Sequence, residues 1–256
     1  MATENVRVEV DGPIATITLA RPEKRNALGL EFMQAVIEAL NAVPTEVGVV
    51  VLTAEGKVFS AGHDLKEMMD RDDAYYSELF ATCESMMNTI RDLRQPVIAR
   101  VQGIATAAGC QLVATCDLAI AADTAWFATP GVKIGLFCHT PNVAVSRSVG
   151  PKRAMQMLLT GEPVSADTAV EWGLINQAVP ADDLDEAVLE LANKILEFSK
   201  HTISLGKCTF YAQEGLPIDD AYAIATPVMA TNAGNEHAQE GMGAFLDKRK
   251  PQWPGQ

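Results

Sequence analysis

Phe59-Ser60-Ala61-Gly62-His63-Asp64-Leu65 follows the apolar run Val49-Val50-Val51-Leu52, and a second stretch of related character lies further along, Val101-Gln102-Gly103-Ile104-Ala105-Thr106-Ala107-Ala108-Gly109-Cys110-Gln111-Leu112. A turn after a buried strand can present a free backbone N–H, and Gly62 permits the unusual backbone this needs. A helix that starts on small residues presents another, with the positive end of the helix dipole behind it. Residues 105–109 carry no bulky side chain that would hold a ligand off the backbone. Two such loops can form a donor pair for a developing oxyanion, where losing one donor typically costs about 10²–10³ in rate. Taken alone, Ala107-Ala108-Gly109 reads more readily as close packing at a helix start than as a donor site.

Outward from these loops the pattern is α/β. Residues 6–10 and 14–19 alternate around Asp11-Gly12-Pro13, which predicts a hairpin. Residues 28–40 have helical spacing, residues 48–53 read as a buried strand, and a helical region over about 74–93 stops before Pro96. Further strands are predicted at 97–101, 118–121 and near 174–179, with a helix starting near Ala107. Short strands alternating with helices from about 48 to 180 favour mainly parallel pairing. Beyond that the chain reads as helical, at about 182–198, 202–214, 218–232 and 235–247.

With 256 residues, 48% hydrophobic, the chain is long enough for one sizeable core. No linker composition divides it, so the reading is a main unit over 1–199 followed by a helical C-terminal region over 200–256. No apolar stretch reaches the roughly 20 residues of a membrane span. Met1-Ala2-Thr3-Glu4-Asn5-Val6 has no basic or Arg-rich targeting pattern, so the expected compartment is the cytoplasm. A formal net charge of −13 argues against nucleic-acid and anionic-membrane partners. It also means that a polyanionic ligand needs local basic groups, for which Lys24 with Arg25, and Lys248 with Arg249 and Lys250, are the candidate clusters. The five cysteines are odd in number and lack CxxC spacing, which fits unpaired thiols in a reducing compartment. His63, His139, His201 and His237 have no ligand spacing, so no metal site is expected.

The two loops are similar to those of the enoyl-CoA hydratase/isomerase (crotonase) family, whose members hold an acyl-CoA thioester carbonyl between two backbone N–H groups. The likeness continues through Arg25-Asn26-Ala27-Leu28, Cys116-Asp117-Leu118-Ala119-Ile120-Ala121, Phe127-Ala128-Thr129-Pro130, Leu159-Thr160-Gly161-Glu162 and Glu171-Trp172-Gly173-Leu174-Ile175. It ends in the tail Gly241-Met242-Gly243-Ala244-Phe245-Leu246-Asp247-Lys248-Arg249-Lys250-Pro251. One branch of the family also shares Gly135-Leu136-Phe137-Cys138. The resemblance implies a crotonase-like spiral of ββα units with a C-terminal helical trimerisation region, assembled as a homotrimer or a dimer of trimers. It implies coenzyme A as part of the substrate and no permanently bound cofactor. The implied donors are the N–H groups of His63 and Ala108, although the family often has glycine at 107 and 108. The implied CoA contacts are Lys24, Arg25, Ala27, Ala61, Asp64 and Leu65, with Phe245 and Lys248 reaching in from the C-terminal helix, often of a neighbouring subunit.

Hydratases of that family carry glutamates where this chain has Gln111 and Gly131. Gln111 orients a proton through hydrogen bonds but does not take one at neutral pH, and Gly131 has no side chain. General acid and base groups each contribute about 10²–10⁴ in rate, so the usual hydration route is disfavoured. His63, Cys138 and His139 are the candidate substitutes. For each, a plainer role stands beside the chemical one: the His63 ring can point elsewhere while its N–H acts, and Cys138 and His139 can simply line the acyl pocket. Three kinds of function stay open. One is an acyl-CoA enzyme working through a stabilised enolate with non-standard residues, for which decarboxylation of a β-carboxyacyl-CoA needs no starting base. Residues 60–64 are similar to those of the family's methylmalonyl-CoA decarboxylases, but Cys138 stands where those have a tyrosine. The others are a hydratase or isomerase using substitute groups, and a non-catalytic acyl-CoA binder.

Overall fold

The computed structural model describes residues 5–255; Met1–Glu4, part of the stretch read for a targeting signal, lie outside it. β1 (Val6–Asp11) and β2 (Ile14–Leu19) form the expected antiparallel hairpin, with Gly12 at φ +53° in the turn. α1 (Leu30–Asn41) buries Phe32, Met33, Val36 and Leu40. It starts two residues later than its spacing predicts, because Leu28 is committed to a β-bridge with the loop at His63.

Three strand–strand–helix units follow. The first is β3 (Val49–Ala54), β4 (Val58–Ser60), the short α2 (Leu65–Met68) and α3 (Asp73–Asp92). The second is β5 (Val97–Val101), β6 (Ile104–Thr106) and α4 (Ala108–Thr115), and the third is β7 (Leu118–Ala122), β8 (Trp126–Ala128), α5 (His139–Val149) and α6 (Pro151–Thr160). β9 (Val164–Ser165), α7 (Ala166–Trp172) and β10 (Gln177–Val179) complete the sheets. The first strand of each unit joins a six-stranded sheet, β1-β2-β3-β5-β7-β10, and the second joins a four-stranded sheet, β4-β6-β8-β9. This is the expected spiral of ββα units. β4, β6 and β8 are mutually parallel neighbours, so the loops that leave them emerge side by side at one end of the small sheet. That arrangement brings together residues far apart in sequence.

α8 (Leu184–Leu196) lays Leu184, Val188 and Ala192 on the face of the large sheet formed by Val49, Val51, Ile98 and Ile120. The other face meets the main core, including Leu52, Phe59, Met86 and Leu112. Burial on both faces explains why residues 49–52 read as a continuous apolar run rather than alternating. α9 (Lys200–Gln213), α10 (Ile218–Gly234) and α11 (Glu236–Leu246) follow. α9 is anchored by Lys207, whose buried ammonium donates to the carbonyls of Ile90 and Gln95 (both 2.9 Å) and to Asp117 Oδ2 (2.7 Å). Asp117 also accepts from the Val97 N–H at 2.7 Å and the Tyr211 hydroxyl at 2.9 Å, the structural role its position at the α4–β7 junction predicts.

Of the strand expected near 174–179 only the last three residues pair. Gly173 at φ +86° closes α7, and the N–H groups of Leu174 and Ile175 turn back to the Ala169 carbonyl. No helix among the described residues is long and apolar enough to cross a membrane.

Candidate active site

The first loop is shaped by Asn26, fully buried at φ +50°. Its side chain accepts from the Arg21 N–H (2.9 Å) and donates to the carbonyls of Glu55 (2.9 Å) and Val58 (2.8 Å). The Asn26 carbonyl in turn accepts from the Ser60 hydroxyl at 2.9 Å. These bonds lay residues 25–28 along the loop: Ala61 N–H donates to the Arg25 carbonyl, Leu28 N–H to the Gly62 carbonyl (2.7 Å), and Asp64 N–H to the Leu28 carbonyl (3.4 Å). Leu28 therefore bonds both neighbours of His63, and in a parallel bridge of this kind the N–H of the residue between them faces away. Asp64 caps α2 by accepting from the Lys66 N–H, as a turn-shaping residue would.

The second loop is held by Ala107, a non-glycine residue at φ +51°, ψ −120°. Its N–H donates to the Ala128 carbonyl (2.9 Å) and its carbonyl accepts from the Gln111 N–H (3.0 Å). Ala108 is the first residue of α4, so its N–H has no acceptor within the helix. The two loops touch. A Cβ added to Gly62, itself at φ +84°, would lie 2.8 Å from Ala107 Cβ and 3.1 Å from the Ala108 nitrogen. A Cβ on Gly109 would lie 2.3 Å from the Ser60 carbonyl oxygen. Among the described residues, neither the His63 N–H nor the Ala108 N–H has a backbone acceptor.

No carboxylate stands in the two expected places. Gln111 is buried on the first turn of α4, its amide oxygen 3.9 Å from the Cys83 thiol. At Gly131 the space is filled: a Cβ there would fall 2.2 Å from the Leu136 carbonyl oxygen and 2.9 Å from Cys138 Sγ. Residues 131–138 have closed over the position, so a glutamate cannot be restored at 131 without moving that loop. Burial pushes the Cys138 thiol up, outweighing the hydrogen bond from Gly131, and holds Cys83 and Cys110 up at about 12. These thiols stay protonated at neutral pH. His139 begins α5, its ring 5.0 Å from that of Phe137.

The His63 ring has a defined state. Nδ1 lies 3.2 Å from the Leu28 carbonyl, which only accepts, so Nδ1 carries the proton. Nε2 is buried without a partner among the described residues, and the Phe80 ring stands edge-on at 5.2 Å. Burial lowers the imidazole below its ordinary 6.5. At pH 7 the ring is therefore neutral and its Nε2 is an acceptor.

A groove of about 520 Å³ borders Gln111, Glu84 and Thr140 but neither His63 nor Ala108. Lys24 ends an exposed 3-10 turn, Pro22–Lys24, followed by Arg25 at φ +54° and buried Ala27. Leu65, half-exposed, starts α2. Arg25, Ala27, Ala61, Asp64 and Leu65 thus gather around the first loop. Phe245, 82% exposed, and Lys248 stand at the end of α11, with no hydrogen bond or ion pair to either loop among the described residues. Sequence reading passed over two residues here. Asn26 carries a signal, since asparagine is the non-glycine residue most at home in the left-handed region. Thr129, whose buried hydroxyl two residues before Gly131 has no partner among the described residues, carries none.

The enoyl-CoA hydratase/isomerase family model matches residues 9–256. Human enoyl-CoA hydratase domain-containing protein 3, mitochondrial, is 46% identical over 96% of this chain and 82% of its own length. A probable enoyl-CoA hydratase of Mycobacterium bovis, echA8, is 33% identical over 99% of each. The crystal structure of an enoyl-CoA hydratase of Mycobacterium smegmatis superposes with a TM-score of 0.95 at 47% identity, covering 97% of this chain and 98% of that one. That of human enoyl-CoA hydratase domain-containing protein 3 gives 0.94 at 44%, covering 97% and 100%. The relatives named for domain-containing protein 3, from human to zebrafish, are all called mitochondrial. They overturn the cytoplasmic expectation, which rested only on the residues at the start of the chain, and point to mitochondria instead. With its spiral of paired strands, its two touching loops and these relatives, the chain belongs to the enoyl-CoA hydratase/isomerase family.

Proposed function

We propose that the protein is an enzyme that binds an acyl-CoA thioester with its carbonyl oxygen between the N–H groups of His63 and Ala108, and acts through the enolate. The carrying observation is that pair of N–H groups without backbone acceptors on loops in contact at Gly62 and Ala107. Donors aimed in advance at a developing charge lower the barrier without reorganising during the reaction. With Gln111 and Gly131 in the carboxylate places, the reaction that suits the site is one that forms the enolate without a base. In a β-carboxyacyl-CoA the bond from the α carbon to the carboxylate breaks, its electron pair enters the enolate, CO₂ leaves, and a proton then adds to the α carbon. A second reading, hydration or isomerisation, has one observation in its favour: the neutral His63 Nε2 carries a lone pair.

CoA itself is assigned to Lys24, Arg25, Ala27, Ala61, Asp64 and Leu65 around the first loop, and to Phe245 and Lys248 of a second copy. Support for the second copy comes from α10 and α11, which expose Ile218, Tyr222, Met229, Phe245 and Leu246. Apolar patches of this kind mark protein interfaces, and a homotrimer would cover them.

Mass spectrometry of crotonyl-, longer enoyl-, malonyl-, methylmalonyl- and saturated CoA esters in D₂O tests the reading. The expected result is CO₂ loss from a β-carboxyacyl ester with deuterium at the α carbon. Rapid hydration of crotonyl-CoA would favour the second reading, and retention of every ester without turnover would leave a binding protein.

A further inference from the structure

Gln111, only 5% exposed, lines the groove of about 520 Å³ between α3, α4, α5 and α9. A primary amide has an accepting end and a donating end, so the end that faces the groove decides what Gln111 can bind there. Its Oε1 lies 3.9 Å from Sγ of Cys83, which is fully buried on α3. Burial holds the Cys83 thiol up at about 12, so it keeps its proton at neutral pH. A thiol donates to an oxygen, whereas its sulfur is a weak acceptor for an N–H. The contact therefore runs from S–H to Oε1, and it turns the amide one way round. Nε2 is the end left for the groove, and it has no acceptor among the described residues. Glu84 also borders the groove, but it is exposed and makes no hydrogen bond to Gln111 among the described residues. An amide N–H removed from water without an acceptor is unfavourable, so this end of Gln111 suits a ligand that brings one.

We propose that Cys83 is a positioning residue that holds Gln111 with Nε2 toward the groove, and that Nε2 donates to an oxygen on the group attached to the α carbon of the acyl chain. The proposal rests on the acyl-CoA reading above and narrows it: the group beside Gln111 is a carboxylate rather than a hydrocarbon. Ala108 and Gln111 are three residues apart on α4 and so share a face of the helix. The amide stands about 4.5 Å further along the axis than the N–H assigned to the thioester oxygen. That is the reach of a substituent one or two bonds beyond the carbonyl carbon. A neutral amide orients such a carboxylate, whereas a glutamate at 111 would set two like charges together.

The test compares two esters by calorimetric titration of the full chain. Sulfoacetyl-CoA carries sulfonate oxygens where a β-carboxyacyl ester has its carboxylate, and it has no CO₂ to lose. 3,3-Dimethylbutyryl-CoA has a similar shape without the acceptors. The expected result is that wild type prefers sulfoacetyl-CoA by about tenfold, the size of one hydrogen bond to a charged group. Gln111→Leu should abolish that preference, and Gln111→Glu should reverse it. Cys83→Ala should lower it about threefold by freeing the amide to turn, with 3,3-dimethylbutyryl-CoA bound as in wild type. Cys83→Ser, which keeps a donor, should restore it. Equal preference in wild type and Gln111→Leu overturns the proposal, as does an equal loss for both esters in Cys83→Ala. The S–H stretching band of the protein without ester is a second measurement. Gln111→Leu should move one cysteine band to higher frequency, and an unmoved band overturns the role of Cys83. If neither ester binds while the band moves, Cys83 still orients Gln111, and the acyl-CoA reading falls together with the carboxylate assigned to it.

Discussion

Gly62 and Ala107 are the residues through which the two loops meet, and both sit at positive φ, +84° and +51°. At Gly62 glycine is required twice over: by the backbone angle, and by the 2.8 Å that would separate an added Cβ from Ala107 Cβ. Gly62→Ala is predicted to lower stability by about 1–3 kcal/mol and turnover by about 10²-fold as the His63 N–H is displaced. Ala107→Gly, which relieves strain of the same kind, should hold or raise the melting temperature. Thermal unfolding together with turnover of the preferred ester checks both; an unchanged Gly62→Ala variant would mean that the loops do not need this contact. At this scale the sequence was readable where glycine or small residues mark the backbone, at 62 and 105–109. It was silent where the answer is a tertiary approach: nothing near Gly131 shows that the Leu136 carbonyl and Cys138 fill the place of a side chain. Nor does anything near His63 show that a carbonyl 35 residues earlier in the chain sets its tautomer.

Long elements were legible and short ones were not. The hairpin showed as alternation and β3 as a continuous apolar run, while α3 and the four C-terminal helices, each of 11 residues or more, were long enough to read. β4, β6 and β8 have three residues each and β9 has two, less than periodicity can register. Yet it is the parallel alignment of β4, β6 and β8 that gathers the site. Its existence came from family resemblance, not from pattern. The junction of α9 with the core was also missed, since Lys207 in a helix reads as a solvated charge until the carbonyls of Ile90 and Gln95 are seen around it. Removing one member of a buried pair typically costs about 3–5 kcal/mol, because the remaining charge stays buried. Asp117 would keep two donors, the Val97 N–H and the Tyr211 hydroxyl, so Lys207→Met is predicted to cost about 3 kcal/mol, at the lower end of that range. Denaturant unfolding measures it, and a loss under about 1 kcal/mol would show that α9 is held by apolar contacts alone.

Across the whole molecule, the order and spacing of weak motifs identified the family. The compartment was misread because it depended on a few terminal residues rather than on anything the fold requires. What unites the scales is one geometric claim: a spiral of short parallel strands brings two N–H groups together in a site that lacks both usual carboxylates. The vibrational frequency of the thioester carbonyl, read from an acyl-CoA labelled with ¹³C at that carbon and bound to the protein, reports on those two donors directly. The account predicts a clear shift to lower frequency on binding, diminished in Gly62→Ala. A bound ester whose carbonyl keeps its solution frequency would contradict it.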